Sequence, residues 1–321
     1  METLISIADG YHDHVEIHQL RYFVAVAEHR HFTRAARGLA VAQPSVSKQI
    51  RLLEEELGTP LLHRMRGNLT LTPAGEALLP WARRVLADLT SAREEVSELA
   101  GLRRGRLSVG ATPSLTTAIL PGALARFRGA YPGVDVRLHQ AGSQDLVREL
   151  LEGVLDLALV IRPARHAALV TTPLLKEELV VAVPADHALA SRKSVALTEL
   201  KDVPLVMFRE GYDLRATTLA ACATAGFEPR FAVEGGEMDG VLRMTEAGLG
   251  VAIVPSMVVA RGGPLRPVRI SRPALSRTIA IAHRKDRRPS RAAAELIDDV
   301  IALVRSREWL ANMPAGVTPV G

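Results

Sequence analysis

Residues 33–54 place the tightest constraint on the fold of this chain. They read TRAARGLAVAQPSVSKQIRLLE, which predicts an Ala-rich helix from Thr33 to Ala40, a short turn, and a second helix that begins near Pro44. Thr33 suits the N-cap of the first helix, because its hydroxyl can accept a backbone N–H. Proline suits the first turn of the second helix, where a backbone N–H lacks an intrahelical partner in any case.

The second helix is predicted to have two chemically different faces. Its apolar side chains recur at helical spacing, and they are Val46, Ile50, Leu53 and Leu57. The opposite face is polar or charged, and it carries Pro44, Lys48, Arg51 and Glu55, with Ser45 and Ser47 on its flanks. This arrangement is typical of a helix-turn-helix that reads DNA. An ordinary helical hairpin with a solvated charged face is the alternative that this stretch leaves open by itself.

Segments on either side extend these two helices into a small domain. Residues 17–30 are predicted to form a helix. Its apolar residues at helical spacing are Leu20, Phe23, Val24 and Ala27. Residues 60–72 predict a hairpin with its turn at Gly67-Asn68. Arg64 and Arg66 lie in this hairpin, where they could contact DNA phosphates or reach the minor groove. Phosphate contacts would set affinity and register rather than sequence choice.

A long amphipathic helix is predicted after Thr72-Pro73, a cap followed by a proline. Apolar residues recur there at alternating steps of four and three, and they are Leu78, Ala82, Val85, Leu89, Ala92, Val96 and Leu99. Pro80 falls inside the run and should kink the helix. Three heptads with charged flanks favour a coiled coil and therefore a homodimer, which would bring two DNA readers to one site. A single helix packed on its own chain is the alternative.

Composition changes after the segment GLRRG at 101–105, which we interpret as a hinge. Strands and helices are then predicted to alternate in a βαβαβ order, at 106–110, 116–130, 134–140, 144–153 and 155–161. A second set follows at 179–183, 204–208, 213–225, 230–233, 237–247 and 250–254, and a strand at 276–283 and a helix at 291–305 close the chain. This order predicts an α/β module with a mainly parallel sheet and helices on both faces. The last eight residues, PAGVTPVG, are expected to be disordered.

Hydroxyl side chains stand where two of these predicted strands end. Thr112 and Ser114 open the helix after the first strand, and Ser143 heads the next helix. Helix N-termini at the carboxyl ends of parallel strands suit a carboxylate or another small anion. The alternative is that all three hydroxyls only cap helices. Arg162 ends the strand LALVI and could pair with an acidic ligand, or could be an ordinary surface arginine.

Several function classes find no support in the sequence. There is no H-E-x-x-H, Walker or G-x-S-x-G motif, and Gly248 and Gly250 supply only two glycines of a dinucleotide fingerprint, with Ile253 in place of the third. These glycines are better interpreted as close packing between a helix and a strand. We therefore expect neither an enzyme nor a cofactor or metal site.

Size, charge and cysteine content narrow the class further. The 321 residues carry a net charge of +5, which is compatible with polyanion binding without establishing it. The single cysteine, Cys222, excludes an intrachain disulfide and a cysteine-rich metal site, and its small-residue surroundings favour a buried inert thiol. The first 16 residues lack the pattern of a signal peptide, and no apolar run could span a bilayer. We expect a cytoplasmic protein without a membrane partner.

At this point the chain resembles the LysR-type transcriptional regulators along nearly its whole length. The resemblance rests on FTRAARGLAVAQPSVSKQIRLLEEELGTPLLHR, LTLTPAGE, the strand followed by TPSLTT, and GLGVAIVP. It implies a winged helix-turn-helix, a linker helix that dimerises, and an effector domain like the periplasmic binding proteins, with two α/β subdomains and the ligand in the cleft. It also implies homotetramers, and ligand contacts at Thr112, Ser114 and Ser143, around Phe208 and near Gly235.

These expectations combine into a division of the chain. They are a leader at 1–16, a winged helix-turn-helix at 17–74, a dimerising linker and hinge at 75–103, an effector domain at 104–307 and a tail at 308–321. Subdomain I of the effector domain would comprise about 104–175 and 273–307, and subdomain II about 176–272.

The expected function is regulation of transcription at operator DNA under the control of a small, anionic effector. Pro44, Ser45, Lys48 and Arg51 would face the major groove, with Ser47 beside them. Thr33 and Arg34 would meet a phosphate at the start of the preceding helix, and Arg64 would serve the wing. The alternative is a small-molecule-binding protein of the same fold without regulatory coupling.

Overall fold

The computed structural model describes residues 15–65, 68–99, 105–162, 166–259 and 262–320. Most of the predicted leader, most of the predicted hinge and Gly67 of the predicted turn lie outside these residues. The chain divides into two units, one of residues 1–93 with 152–154 and the other of residues 94–151 with 155–321. No described helix combines the length and apolar composition of a bilayer span.

The N-terminal elements are three short helices, a hairpin and one long helix. In chain order they are α1 (Ile17–His29), α2 (Phe32–Gly38), α3 (Gln43–Glu56), β1 (Leu62–Met65), β2 (Asn68–Leu71) and α4 (Pro73–Leu99). Their common core is apolar and consists mainly of Leu20, Phe23, Val26, Ala35, Ala36, Val46, Ile50 and Leu53. The helix, turn and helix predicted around residues 33–54 are therefore present.

The ends of the two central helices differ in detail from the prediction. α2 begins at Phe32 with His31 as its N-cap, because the His31 ring Nδ1 accepts the Thr33 backbone N–H at 3.2 Å. The prediction that Thr33 caps this helix is therefore wrong, and the helix ends at Gly38 rather than Ala40. α3 has a proline in its first turn, as predicted. Leu57 lies just past its last residue and is 40% exposed, so it does not extend the buried face.

The hairpin and the long helix follow the predicted order. β1 pairs antiparallel with β2, and Leu62 lies opposite Leu71. The Thr72 hydroxyl accepts the Gly75 backbone N–H at 3.0 Å and so caps α4. Pro80 lies inside this continuous helix. At the predicted seam, Val85 and Val96 are 45% and 67% exposed in the single chain.

The second unit contains the α/β module. Its elements are β3 (Gly105–Ala111), α5 (Pro113–Ala118), α6 (Leu120–Ala130), β4 (Val134–Gln140), α7 (Ser143–Leu151), β5 (Leu157–Ile161), β6 (Leu169–Pro184), β7 (Ser194–Ala196), β8 (Leu205–Phe208), α8 (Asp213–Thr224), β9 (Phe231–Gly236), α9 (Met238–Glu246), β10 (Ala252–Pro255), β11 (Leu265–Ser271), β12 (Ser276–Arg284), α10 (Arg291–Arg305), α11 (Arg307–Asn312) and β13 (Val317–Pro319).

One long strand joins the two halves of this module. The first part of β6 pairs antiparallel with β12, which in turn pairs with β5. The second part of β6 pairs with β10 and β11. β3 is parallel to both β4 and β5, and β8 is parallel to β9. Each half has its own apolar core, so the module is two subdomains that share β6.

The differences from the predicted elements have local causes. The helix predicted at 116–130 is interrupted at Ile119 and forms α5 and α6. The strand predicted at 179–183 extends back to Leu169, because its first half pairs with β12. The prediction that the last eight residues are disordered is wrong, because β13 pairs with β6 and places Val317 opposite Glu177. β7 and β11 were not predicted from the sequence.

Of the two glycines after α9, only Gly250 has the close packing that the sequence interpretation assigned to both. Gly248 has φ 77°, and a Cβ there would meet nothing within 4 Å, so the prediction of close packing at Gly248 is wrong. A Cβ at Gly250 would lie 2.6 Å from the Pro204 carbonyl oxygen, so the chain can approach the start of β8 this closely only without a side chain.

Thr72→Val should destabilise the N-terminal unit measurably. The buried Thr72 hydroxyl accepts from Gly75 and donates to the Pro60 carbonyl at 2.7 Å, and valine leaves both groups without a partner. We expect a loss of about 1–3 kcal/mol in the free energy of unfolding, measured by urea denaturation with circular dichroism. Thr70→Val on the exposed face of β2 is the matched control and should change it by less than about 0.5 kcal/mol. Equal effects would contradict the capping role.

Candidate DNA interface and ligand cleft

The outer face of α3 presents cations and hydroxyls to solvent. Pro44, Ser45, Lys48 and Arg51 are exposed and Ser47 is partly buried, while Val46, Ile50 and Leu53 are fully buried beneath them. Neither cation is ion-paired within the described part of the chain. The face is therefore free to hydrogen-bond to base edges and to neutralise phosphates.

The two residues predicted at the start of α2 differ in what they can offer. Thr33 and Arg34 are both exposed in its first turn. The Thr33 backbone N–H already donates to His31, so it is not available to a phosphate in this conformation. The Arg34 guanidinium remains the stronger anion-binding group. Arg64 lies in β1 opposite Leu69, and its side chain falls outside the described parts.

A cavity of about 260 Å³ opens between the two subdomains of the α/β module. One wall comes from α5 and from the segment between β4 and α7. The other comes from the segment between β8 and α8 and from the start of α9. The lining residues are Pro113, Thr117, Gln140, Ala141, Gly142, Arg209, Tyr212, Glu237, Met238 and Asp239. The cavity is smaller than the roughly 300–1,000 Å³ of sites for drug-sized ligands.

An aromatic stack and an ion pair shape the wall from the second subdomain. Gly211 has φ 78°, which lets the chain turn sharply between β8 and α8. This turn places the Tyr212 ring parallel to Phe208, with centroids 4.6 Å apart. Burial, and then the nearby Glu237 carboxylate, raise the pKa of the Tyr212 hydroxyl, which stays protonated at neutral pH. Arg209 donates to Glu237, and this hydrogen bond raises the pKa of Arg209.

The predicted hydroxyls of the first subdomain make specific contacts. Thr112 is the N-cap of α5 but makes no capping hydrogen bond, and its hydroxyl is buried without a partner among the described residues. The Ser114 hydroxyl accepts from Arg277 at 2.9 Å. The Ser143 hydroxyl accepts the Ile161 backbone N–H at 3.0 Å, so it ties α7 to the end of β5.

The other predicted ligand residues come from both subdomains. Arg162 follows β5 and donates its backbone N–H to the Thr278 carbonyl at 2.9 Å. Phe208 is buried under Tyr212 and its carbonyl accepts from Arg215. Gly235 has φ 104° near the end of β9. None of the six predicted residues lines the cavity itself, and their role in binding stays a prediction.

The residues that sequence reasoning missed are close neighbours of those it selected. Pro113 lies between Thr112 and Ser114, Gly142 precedes Ser143, and Arg209 follows Phe208. Glu237 and Asp239 follow Gly235 in the same way. The strand–helix boundaries identified the correct segments, but spacing along the chain does not show which side chain of each segment turns inward. A charged residue next to such a boundary, as at Arg209 and Glu237, was the available signal.

The predicted anion site at the start of α7 is occupied by a group of the protein itself. The Ser143 backbone N–H donates to the Asp213 carboxylate at 3.3 Å. Asp213 lies in the first turn of α8, so one carboxylate interacts with the N-termini of helices from both subdomains. This hydrogen bond spans the cleft.

A buried ion pair lies where the long strand passes from one subdomain to the other. Glu177 on β6 and Arg277 on β12 are directly opposite each other, with 2.8 Å between Nη2 and Oε2. Glu177 is fully buried and Arg277 is 9% exposed. Each charged group makes a further hydrogen bond. Glu177 accepts the Met257 backbone N–H at 2.7 Å, and Arg277 donates to the Ser114 hydroxyl. These hydrogen bonds connect β6 and β12 to α5, which lies beside the cavity.

Two family models match this chain. Residues 17–76 match the model described as "Bacterial regulatory helix-turn-helix protein, lysR family", and residues 100–304 match the "LysR substrate binding domain". The transcriptional dual regulator GltC of Bacillus subtilis is 33% identical over 89% of this chain and 97% of its own. The DNA-binding transcriptional dual regulator OxyR of Escherichia coli K12 is 32% identical over 76% of this chain and 80% of its own.

Solved structures of similar proteins have the same architecture. A full-length OxyR variant from Pseudomonas aeruginosa is 30% identical, with a TM-score of 0.71 over 90% of this chain and 95% of that one. CbnR in complex with its target DNA is 29% identical, with a TM-score of 0.65 over 89% of this chain and 98% of that one.

Glu177→Gln should destabilise the α/β module strongly, because it leaves the buried Arg277 charge without a counter-ion. We expect a loss of about 3–5 kcal/mol in the free energy of unfolding, measured by denaturant titration. The neighbouring Glu178 also pairs with an arginine, Arg269, whose side chain is 61% exposed. Glu178→Gln is therefore the matched control and should cost less than about 1 kcal/mol. Similar losses for both variants would show that burial of the first pair is not decisive.

Proposed function

This chain belongs to the LysR family of bacterial transcriptional regulators, and we propose that it reads operator DNA with the outer face of α3 while a small anionic effector in the cleft controls that binding. The family's members regulate transcription through a helix-turn-helix and an effector-binding domain, and both domains are present. Its members are regulators rather than enzymes, and catalysis has no part in the proposal. Because the proposed target is DNA, we place the protein in the cytoplasm.

The exposed side chains of α3 support the DNA-reading role. Ser45 can hydrogen-bond to several base edges, Pro44 can press on a thymine methyl, and Lys48 and Arg51 can bind guanine or phosphate. Ser47, Thr33, Arg34 and Arg64 would position the domain through the DNA backbone. A protein of the same fold that only binds a small molecule would not need this face, and the match over residues 17–76 favours the regulator.

The seam of α4 supports a homodimer. Val85 and Val96 occupy heptad positions yet are largely exposed in the single chain, as expected where a second copy covers them. A dimer would place two copies of α3 on one operator. Assembly of two dimers into a tetramer is the further arrangement that we propose from the family resemblance.

The cleft supports an effector that acts by closure. Arg209 is the cation on its wall, and an anionic group of the effector would bind there. The hydrogen bond from Ser143 to Asp213 already joins the subdomains across the cleft, so a ligand that changes their separation would change this contact. Closure of the subdomains would then alter the geometry of the dimer on DNA.

The cysteine content argues against one mode of control. Some relatives of this chain are named hydrogen peroxide-inducible genes activators, as in Dickeya chrysanthemi. This sequence has one cysteine, Cys222, which is fully buried in α8. Burial raises the pKa of its thiol, so the reactive thiolate is disfavoured. An intrachain disulfide cannot form, and we therefore propose a reversibly bound effector rather than oxidation.

Lys48→Ala and Ser45→Ala should each weaken binding to an operator selected from random duplexes more than binding to random DNA. Loss of a base contact removes about 1–3 kcal/mol of discrimination. Fluorescence anisotropy across a salt series measures both affinities. Lys201→Ala removes an exposed cation from the α/β module and should leave both unchanged. Equal losses on both DNAs would assign Lys48 and Ser45 to the phosphates only.

Val85→Glu should disrupt the dimer, because two carboxylates would be buried at the seam. We expect the dissociation constant of the dimer to rise by about tenfold or more in sedimentation equilibrium. Thr90→Glu introduces the same charge at an exposed position beside the seam and is the control. If both variants remain dimeric, α4 does not form the interface.

A further inference from the structure

The charges on the cavity wall do not suit a simple anion. The lining holds one cation, Arg209, and two carboxylates, Glu237 and Asp239. Asp145 in the first turn of α7 also acts electrostatically on Arg209. An effector with only a negative group would bind Arg209 close to these carboxylates, which would repel it. It would also take Arg209 from Glu237, whose carboxylate would then lack its partner. An effector with only a positive group would face Arg209.

The ion pair on the wall can be divided at small cost. Arg209 and Glu237 are 49% and 55% exposed at the cleft, and a pair so accessible to water contributes little by itself. A ligand that supplies its own anion to Arg209 and its own cation to Glu237 would replace one exposed pair by two charge-assisted contacts. Arg209 and Glu237 together therefore complement a ligand that carries a negative and a positive group close together.

Neutral groups from both walls complete the site. Tyr212 lines the cavity, and its hydroxyl is buried without a hydrogen-bond partner among the described residues. Gln140, from the opposite wall, brings an amide with donors and an acceptor. A buried polar group that lacks a partner favours a ligand able to supply one. The volume of about 260 Å³ limits that ligand to a small metabolite.

We propose that the effector is a small zwitterion of the α-amino-acid class, whose carboxylate binds Arg209 and whose ammonium group binds Glu237 and Asp239. This inference rests on the proposed function of the cleft and specifies its ligand. The carboxylate is the anionic group expected of the effector, and the ammonium group is the additional requirement. Tyr212 and Gln140 provide the neutral hydrogen bonds around it.

The test compares matched probes on the full-length protein. The twenty standard amino acids are measured by thermal shift and then by calorimetry, each beside its deaminated carboxylic acid and its decarboxylated amine. At least one amino acid should bind about 10–100-fold more tightly than its acid and its amine, because each lacks one charge-assisted contact. Equal affinity of the acid, equal affinity of the amine, or no binding by any probe overturns the proposal.

Variants assign the binding to this wall. Arg209→Gln and Glu237→Gln should each weaken the amino acid about 10–100-fold and reduce its advantage over the acid or amine. Arg192→Gln is the matched control, because Arg192 and Glu199 form an equally exposed pair elsewhere in the same unit. Unchanged affinity in both cleft variants overturns the proposal.

A DNA footprint separates this proposal from the function on which it rests. If the amino acid binds through Arg209 and Glu237 but the footprint stays the same, the ligand class is correct and regulatory coupling is wrong. If a probe changes the footprint and its affinity is indifferent to both variants, coupling is correct and the proposed site at Arg209 and Glu237 is wrong.

Discussion

The pairing of β6 with β12 is the constraint on which the rest of the α/β module depends. Near one end of this ladder the Glu177 carboxylate and the Arg277 guanidinium are buried opposite each other. Two charges can be buried in this way only if every remaining hydrogen-bonding group is satisfied. The Met257 N–H donates to Glu177, and the Ser114 hydroxyl accepts from Arg277. These bonds connect β6 and β12 to α5 and to the segment that follows β10. Through Ser114 the ion pair contacts α5, which forms part of one wall of the cleft.

The cleft is organised by charges of the protein itself. The Asp213 carboxylate occupies the N-terminus of α7, where the helix dipole favours an anion. On the other wall, Arg209 donates a hydrogen bond to Glu237. The charged groups Asp213, Arg209 and Glu237 therefore already have partners within the protein. Under the proposed function, an effector would bind Arg209 by replacing such a partner, and that exchange would make subdomain closure sensitive to the ligand.

The N-terminal domain follows a simpler logic, and the sequence predicted it well. The apolar spacing of Val46, Ile50 and Leu53 identified the buried face of α3, and the opposite face was exposed as a direct consequence of helical geometry. Local signals of this kind failed only at the ends. His31 is the cap of α2 in place of Thr33 because its ring nitrogen accepts the backbone N–H of Thr33, which propensity alone does not reveal.

Local periodicity was enough to determine most helices of both domains, the parallel strands β3, β4 and β5, and the segments that border the cleft, although it missed α11 and the break between α5 and α6. It did so because those elements are specified by neighbours along the chain. Only the tertiary structure decided the full length of β6, the pairing of β13 with it, and which side chains face the cavity. Glu177 and Arg277 are 100 residues apart, and Ser143 and Asp213 are 70 apart. Contacts at such separations depend on how the sheet closes, and no local pattern encodes them.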